Sequence, residues 1–222
     1  MLVFIISILN HYMTLDVNYS KMQDSLNEFS THLKQIESSR EKLIKENREI
    51  IAYCSKAIIL LHSNNINDAT NLINNAFNLI KDLREFVISD LDRYLWPAEQ
   101  EYVEACILKE IVEKKPFISN HIDLDVSLNA YLTGLLDCIG EIKRMIYDNL
   151  RRNDFDTSLS LFTIMQSFYD YIYPFSFYDN IIPGVRKKLD VGKRIIEDVR
   201  ITMTEEHRRQ DFLKKFQSNT QI

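Results

Sequence analysis

Two pairs of acidic side chains are the residues in this sequence best placed to do chemistry. Glu101 and Glu104 stand three apart in PAEQEYVEACILKEIVEK, and Asp137 and Glu141 stand four apart in YLTGLLDCIGEIKRM. On a helix, spacings of three and four bring two side chains onto one face, so each pair would present two carboxylates to one place. Four carboxylates converging from neighbouring helices suit a hard cation such as Mg²⁺ or Mn²⁺, which prefers oxygen ligands and retains water. A cation so held activates water and neutralises charge on a phosphodiester under attack.

With 32 acidic residues, pairs at these spacings also arise as ordinary solvated surface, so their place on the helical wheel is what matters. Glu101 and Glu104 share an arc with Ala105, Leu108, Ile111 and Val112, while Glu99, Lys109, Glu110 and Glu113 take the opposite side. Two glutamates thus project from an apolar stripe, and burying an unpaired carboxylate is costly unless a cation or a shared proton offsets it. In the second helix Leu128, Tyr131, Leu132, Leu135, Cys138, Ile139, Ile142, Ile146 and Leu150 form a wide core face. Asp137 and Glu141 lie across from it with Ala130, Thr133, Gly134 and Gly140. Each glycine inside a helix costs about 0.8–1 kcal/mol relative to alanine, which implies close approach by something beside that strip.

Other chemistries lack their signatures. There is no G-x-S-x-G, P-loop, G-x-G-x-x-G, H-E-x-x-H or catalytic Cys/His pattern. A di-iron bundle needs Glu-x-x-His, and none of His11, His32, His62, His121 and His207 follows a glutamate by three.

The elements that must position the acids are helices. Four Gly and four Pro in 222 residues, where average usage gives about 15 and 11, leave little material for β-turns. Apolar periodicity predicts one long helix over residues 20–61, with a break near Ser38-Ser39. Further helices follow to about Phe86, from Pro97 to about Lys114, from the HIDLDVS turn to about Arg152, from Asp154 to Tyr173, and from Pro183-Gly184 to about Phe216. No segment alternates with period two and no internal repeat is visible. The expectation is a single all-α domain, a bundle of about six or seven helices over residues 20–217, with an extension at 1–19 and a tail at 218–222.

The opening MLVFIISIL is apolar but about half the length needed to cross a bilayer, and it lacks the basic and small-residue flanks of a secretory signal. Either the start lies later, at Met13 or Met22, or this segment packs against a partner. Cys54, Cys106 and Cys138 show no paired spacing and each falls in an apolar helical pattern, as expected of reduced thiols in a cytoplasmic protein. The net charge of −5 excludes a protein that coats nucleic acid indiscriminately, so any nucleic-acid site must be local.

The acidic motifs carry a family resemblance. EQEYVEA, from Glu99 to Ala105, and YLTGLLDCIGEIKRM resemble the translin family, most closely its translin-associated factor X (TRAX) branch with Q-E-Y-V-E-A and D-Y-L-L-G-(L/V)-A-D-L-T-G-E-L-x-R. REKLIKENREIIAYCSKAIILLH and NIIPGVRKKLD resemble further family segments, and the likeness runs from about Arg40 to Thr204. Ala130 and Leu189 depart from the motifs.

The resemblance implies a metal-dependent endoribonuclease in which Glu101, Glu104 and Asp137 hold Mg²⁺ or Mn²⁺, with Glu141 as the adjacent glutamate. It implies an all-α fold whose copies close into a hollow barrel, typically octameric, around single-stranded RNA. An archaeal-type lineage with one such gene would form a homo-oligomer. The alternative is a non-catalytic oligomer of the translin type that binds single-stranded RNA or DNA.

For RNA contacts, Arg144 shares the arc of Asp137, and Arg40, Lys45, Arg48 and Lys56 fall in the first-helix motif. Each also has an acid within helix reach, so ordinary i, i+4 pairing is the competing role. The aromatic run FYDYIYPFSFY could stack bases, although such rings more often anchor a core or an interface.

Overall fold

The computed structural model describes residues 18–219, with side chains through 215. The segment MLVFIISIL, expected to be an extension, lies outside the described residues, as does most of the expected tail.

Among the described residues there are six α-helices: α1 (Ser20–His62), α2 (Ile66–Arg84), α3 (Trp96–Val112), α4 (Leu128–Arg151), α5 (Phe155–Ile172) and α6 (Val185–Asn219). Two short 3₁₀ turns, Leu91–Tyr94 and Tyr173–Tyr178, precede α3 and α6. There is no strand among the described residues, in agreement with the all-α expectation. None of these helices is long and apolar enough to cross a membrane.

Local chemistry sets the boundaries. Asn65, Ser127 and Asp154 accept hydrogen bonds from the backbone N–H groups of Asp68, Ala130 and Thr157, capping α2, α4 and α5. The cap of α4 is Ser127, the last residue of HIDLDVS. Pro97 sits in the first turn of α3, where its missing N–H costs nothing. Helices α1, α3 and α4 close with Asn64, Lys114 and Asn153 at positive φ. The next N–H then reaches back five residues, as from Asn65 to Leu60 and from Lys115 to Glu110. Non-glycine residues thus fill the left-handed caps, which explains how a chain with four glycines ends so many helices.

The chain divides into two compact units, residues 1–39 and 40–222. The predicted break near Ser38-Ser39 is absent from α1, which is continuous, but the division falls there. In the larger unit α4 is central, packing against α3, α5 and α6, and its Ile139, Ile142 and Ile146 are fully buried. The later part of α1 buries Leu43, Ile50, Cys54, Ala57 and Leu61 in the same unit. In the smaller unit every described residue from 18 to 35 is exposed.

Candidate functional site

Helix α3 runs through the interior of the larger unit, so its polar residues are buried on both sides. The side opposite Glu104 is not solvent: Glu99 and Glu110 are 4% and 5% exposed. Both are satisfied. Glu99 accepts from Arg84 Nη2 at 3.2 Å and from the Ser127 N–H at 3.1 Å, and Glu110 accepts from the Ser119 N–H at 2.9 Å and Oγ at 2.5 Å. Glu104, 8% exposed, and Glu101, half-buried, have no hydrogen-bond or ion-pair partner for their carboxylates among the described residues. One helix thus carries two buried glutamates tied into the structure and two acids that are not.

Glycine sets the distance to α4. A Cβ on Gly134 would stand 2.7 Å from the Gln100 carbonyl oxygen and 2.8 Å from Val103, so only glycine lets α3 and α4 approach this closely. That contact brings Asp137 beside Glu101 and Glu104. One turn further on, Gly140 meets nothing within 4 Å and faces open space. The small-residue strip therefore does two things: at Gly134 a neighbouring helix fills the room, and at Gly140 the room stays free.

Glu101, Glu104 and Asp137 line a recess of about 640 Å³ together with Gln100, Gly140, Gly184, Lys187, Lys188 and Gly192. The floor comes from α3 and α4, and the wall from the start of α6. Lys188 donates to one oxygen of Asp137 and Gln100 Nε2 donates to the other at 2.7 Å. Glu141, the fourth predicted acid, does not line this recess; it stands 2.5 Å from Nε2 of His62, whose side chain is buried, and 4.0 Å from Arg144.

The electrostatics follow. Burial pushes the Glu104 carboxyl up to about 8, and the negative charges of Asp137, Glu101 and Glu141 push the same way. Burial and Asp137 raise Glu101. Burial also raises Asp137, although Lys188 and Gln100 oppose it. Glu141 goes down, because the hydrogen bond from His62 favours its charged form more than burial disfavours it. The recess therefore holds more acid than its own cations neutralise, and Glu104 keeps a proton near neutral pH.

Glu101 and Glu104 thus feel the charges of both Asp137 and Glu141. Among the described residues, however, no three His, Cys, Asp or Glu side chains stand together in an arrangement ready to hold a metal ion. Asp137 is paired with Lys188, and Glu141 with His62. The donor set itself is all carboxylate, two of its members are without partners, and its charge calls for a cation. In donor chemistry the residues fit a hard divalent ion.

Of the predicted RNA contacts, Arg144 is exposed beside the acids and, with Gly140, Lys143, Tyr147, Asp148 and Arg151, lines a second recess of about 380 Å³. Gly140 lines both recesses. Lys45, Arg48 and Lys56 are exposed and Arg40 donates to the Tyr94 hydroxyl, but none of these four lines the acidic recess. The aromatic run divides: Phe168 and Ile172 enter the core, whereas Tyr171, Tyr173, Phe177 and Tyr178 are 52–85% exposed. Sequence reasoning singled out neither Lys188 nor His62 as a site residue. Lys188 lies in the RKKLD segment that carried part of the resemblance, and Gly184, Lys188 and Gly192, at spacings of four, all line the acidic recess.

Comparison with known proteins places these motifs. The Translin family profile matches residues 38–200. An uncharacterized protein of Methanocaldococcus jannaschii, MJ0175, is 26% identical over 215 residues, covering 91% of this chain and 95% of its own. Among solved structures, AfC3PO in a complex with duplex RNA has a TM-score of 0.74 at 28% identity, covering 82% of this chain and 96% of that one. AfC3PO alone scores 0.72 at 29% identity, covering 82% and 97%. Apo-NeC3PO, at 20% identity and a TM-score of 0.70, covers 82% and 96% and shares the fold.

Proposed function

The chain belongs to the translin family, and from that premise we propose that it is a divalent-metal-dependent endoribonuclease of the TRAX type that works as a cytoplasmic homo-oligomer. The observation that carries this reading is the pair of partnerless acids, Glu101 and Glu104, set beside Asp137 in an open recess. Glu101, Glu104 and Asp137 would hold Mg²⁺ or Mn²⁺, with Glu141 as a further ligand or as a holder of water. The bound ion would polarise a water molecule and offset charge developing on the phosphodiester.

The chain's own groups do the rest. Glu104 gives up the proton that its surroundings force on it. Lys188, released from Asp137, remains at the wall of the recess to meet a phosphate oxygen. His62 keeps Glu141 in its charged form. Gly140 leaves space for a nucleotide backbone to pass from the recess of Lys143, Arg144 and Arg151 into that of the acids.

RNA as the substrate is supported by the similarity to AfC3PO, which has been solved with duplex RNA. Single-stranded RNA is the expected substrate for cleavage, because an isolated strand can bend its backbone toward the carboxylates. The exposed Tyr171, Tyr173, Phe177 and Tyr178 give self-association a surface of suitable chemistry, the octamer being the expected closed form.

A second reading has an observation in its favour. Asp137 and Glu141 already have partners in Lys188 and His62, as they would in a non-catalytic oligomer that only binds RNA or single-stranded DNA. Incubation with labelled single-stranded and duplex RNA, with and without Mn²⁺, separates the two. The nuclease gives metal-dependent internal cuts in the single strand that Glu104→Gln abolishes while binding persists. Retention of intact RNA under all conditions selects the binding oligomer.

A further inference from the structure

Ahead of the family match, which begins at residue 38, α1 carries apolar residues that serve neither the core nor the acidic recess. Tyr19, Met22, Leu26, Phe29, Leu33 and Ile36 follow one another at alternating spacings of three and four, the a and d positions of a heptad. The same spacing resumes as Leu43, Ile50, Cys54, Ala57 and Leu61, which are buried in the larger unit. The earlier members are not: Tyr19, Met22, Leu26, Phe29 and Leu33 are 53–63% exposed.

We propose that this stripe is a helix seam that pairs with the same stripe of a second copy of the chain. Heptad spacing is itself the mark of a helical partner, since a 3.5-residue repeat keeps one seam facing another helix. Five large side chains exposing roughly 100 Å² each give roughly 1,000 Å² over two copies, the lower bound for a specific association. The flanking e and g positions, Gln23, Ser25, Ser30, His32, Glu37 and Ser39, hold one acid and no Lys or Arg, so two identical copies meet with little like-charge repulsion. A helix of about 20 residues with no packed face is marginal in water, and pairing supplies that face.

The test is the native mass of the purified full chain. Leu26→Glu combined with Leu33→Glu places two charges in the seam, at positions whose exposure spares the fold of the chain itself. The mass should fall to half or less while the helical circular dichroism is retained. Should the charged variant lose helix, Leu26→Ala with Leu33→Ala decides, because alanine favours helix. Its association should weaken at least tenfold on dilution. Mn²⁺ binding per subunit at the acidic recess, which needs no second copy, should be unchanged in both variants, and this separates the proposal from the nuclease reading. A folded variant with the parental mass overturns the seam and leaves the stripe to the chain's own first residues or to a different protein.

Discussion

Glu104 is the residue on which most rests, and its behaviour can be measured without RNA. Its carboxyl sits at about 8 in the fold, against about 4.3 in an unfolded chain. A carboxyl raised by folding favours the native state while it keeps its proton. That contribution is whole below the unfolded value and is lost as pH rises through the folded one. The metal-free protein should therefore lose stability between about pH 4.5 and 8. Glu104→Gln, which keeps the shape without the charge, should be more stable than the parent at pH 8 by roughly 1–3 kcal/mol, read by denaturant midpoints. Equal stability of the two at pH 8 would mean that Glu104 reaches solvent or a partner. The acids themselves were legible in the sequence, because spacings of three and four place them without knowledge of the fold. Lys188 was not, because it reaches Asp137 across 51 residues of chain and no local pattern records such a meeting. For Glu99 and Glu110 the wheel misleads in another way: a helix through the interior buries its polar side too, and their partners Arg84 and Ser119 come from separate segments.

At the scale of the elements, the two glycines of α4 should behave in opposite ways. Gly134→Ala forces a methyl against the Gln100 carbonyl and Val103, so α3 and α4 must part; we expect a loss of roughly 1–3 kcal/mol and weaker cleavage, since the separation moves Asp137 from Glu101 and Glu104. Gly140→Ala meets nothing and adds helix propensity, so it should gain up to about 1 kcal/mol. Bulk is another matter there. Gly140→Trp should leave the fold intact and cut cleavage at least tenfold by filling the way between the two recesses. Thermal unfolding of the two alanine variants tests the pair, and a gain at Gly134 or a loss at Gly140 would refute the assignment of close contact to one and open space to the other. The sequence signals that α4 accepts glycine for the sake of room, but cannot say which glycine faces a helix and which faces space. The helix ends were legible where a side chain caps, as at Asp154, and less so at Asn64 and Lys114, because a non-glycine residue in a left-handed cap leaves no clear mark.

For the whole molecule, a net charge of −5 means that the proposed RNA substrate would have to be held by a few cations at one place and not by the surface at large. With Lys143, Arg144, Lys187 and Lys188 around the recesses, the affinity for single-stranded RNA should fall with salt at a log–log slope of about −2 to −3. Arg144→Ala should make that slope shallower by about 0.7, whereas Arg48→Ala should leave it nearly unchanged, because Arg48 lines neither recess. Equal effects of the two substitutions would move the RNA path to α1. The exposed aromatics at 171–178 and the heptad stripe of α1 are apolar surfaces on one chain, and both suit a protein that acts as an assembly. The most direct measurement of the central claim is calorimetric titration of Mn²⁺ into the metal-free protein in two buffers of different ionisation enthalpy. The account requires saturable binding with release of close to one proton at pH 7, the proton of Glu104, and loss of both in Glu104→Gln. Binding that is absent, or that survives unaltered in Glu104→Gln, would contradict it.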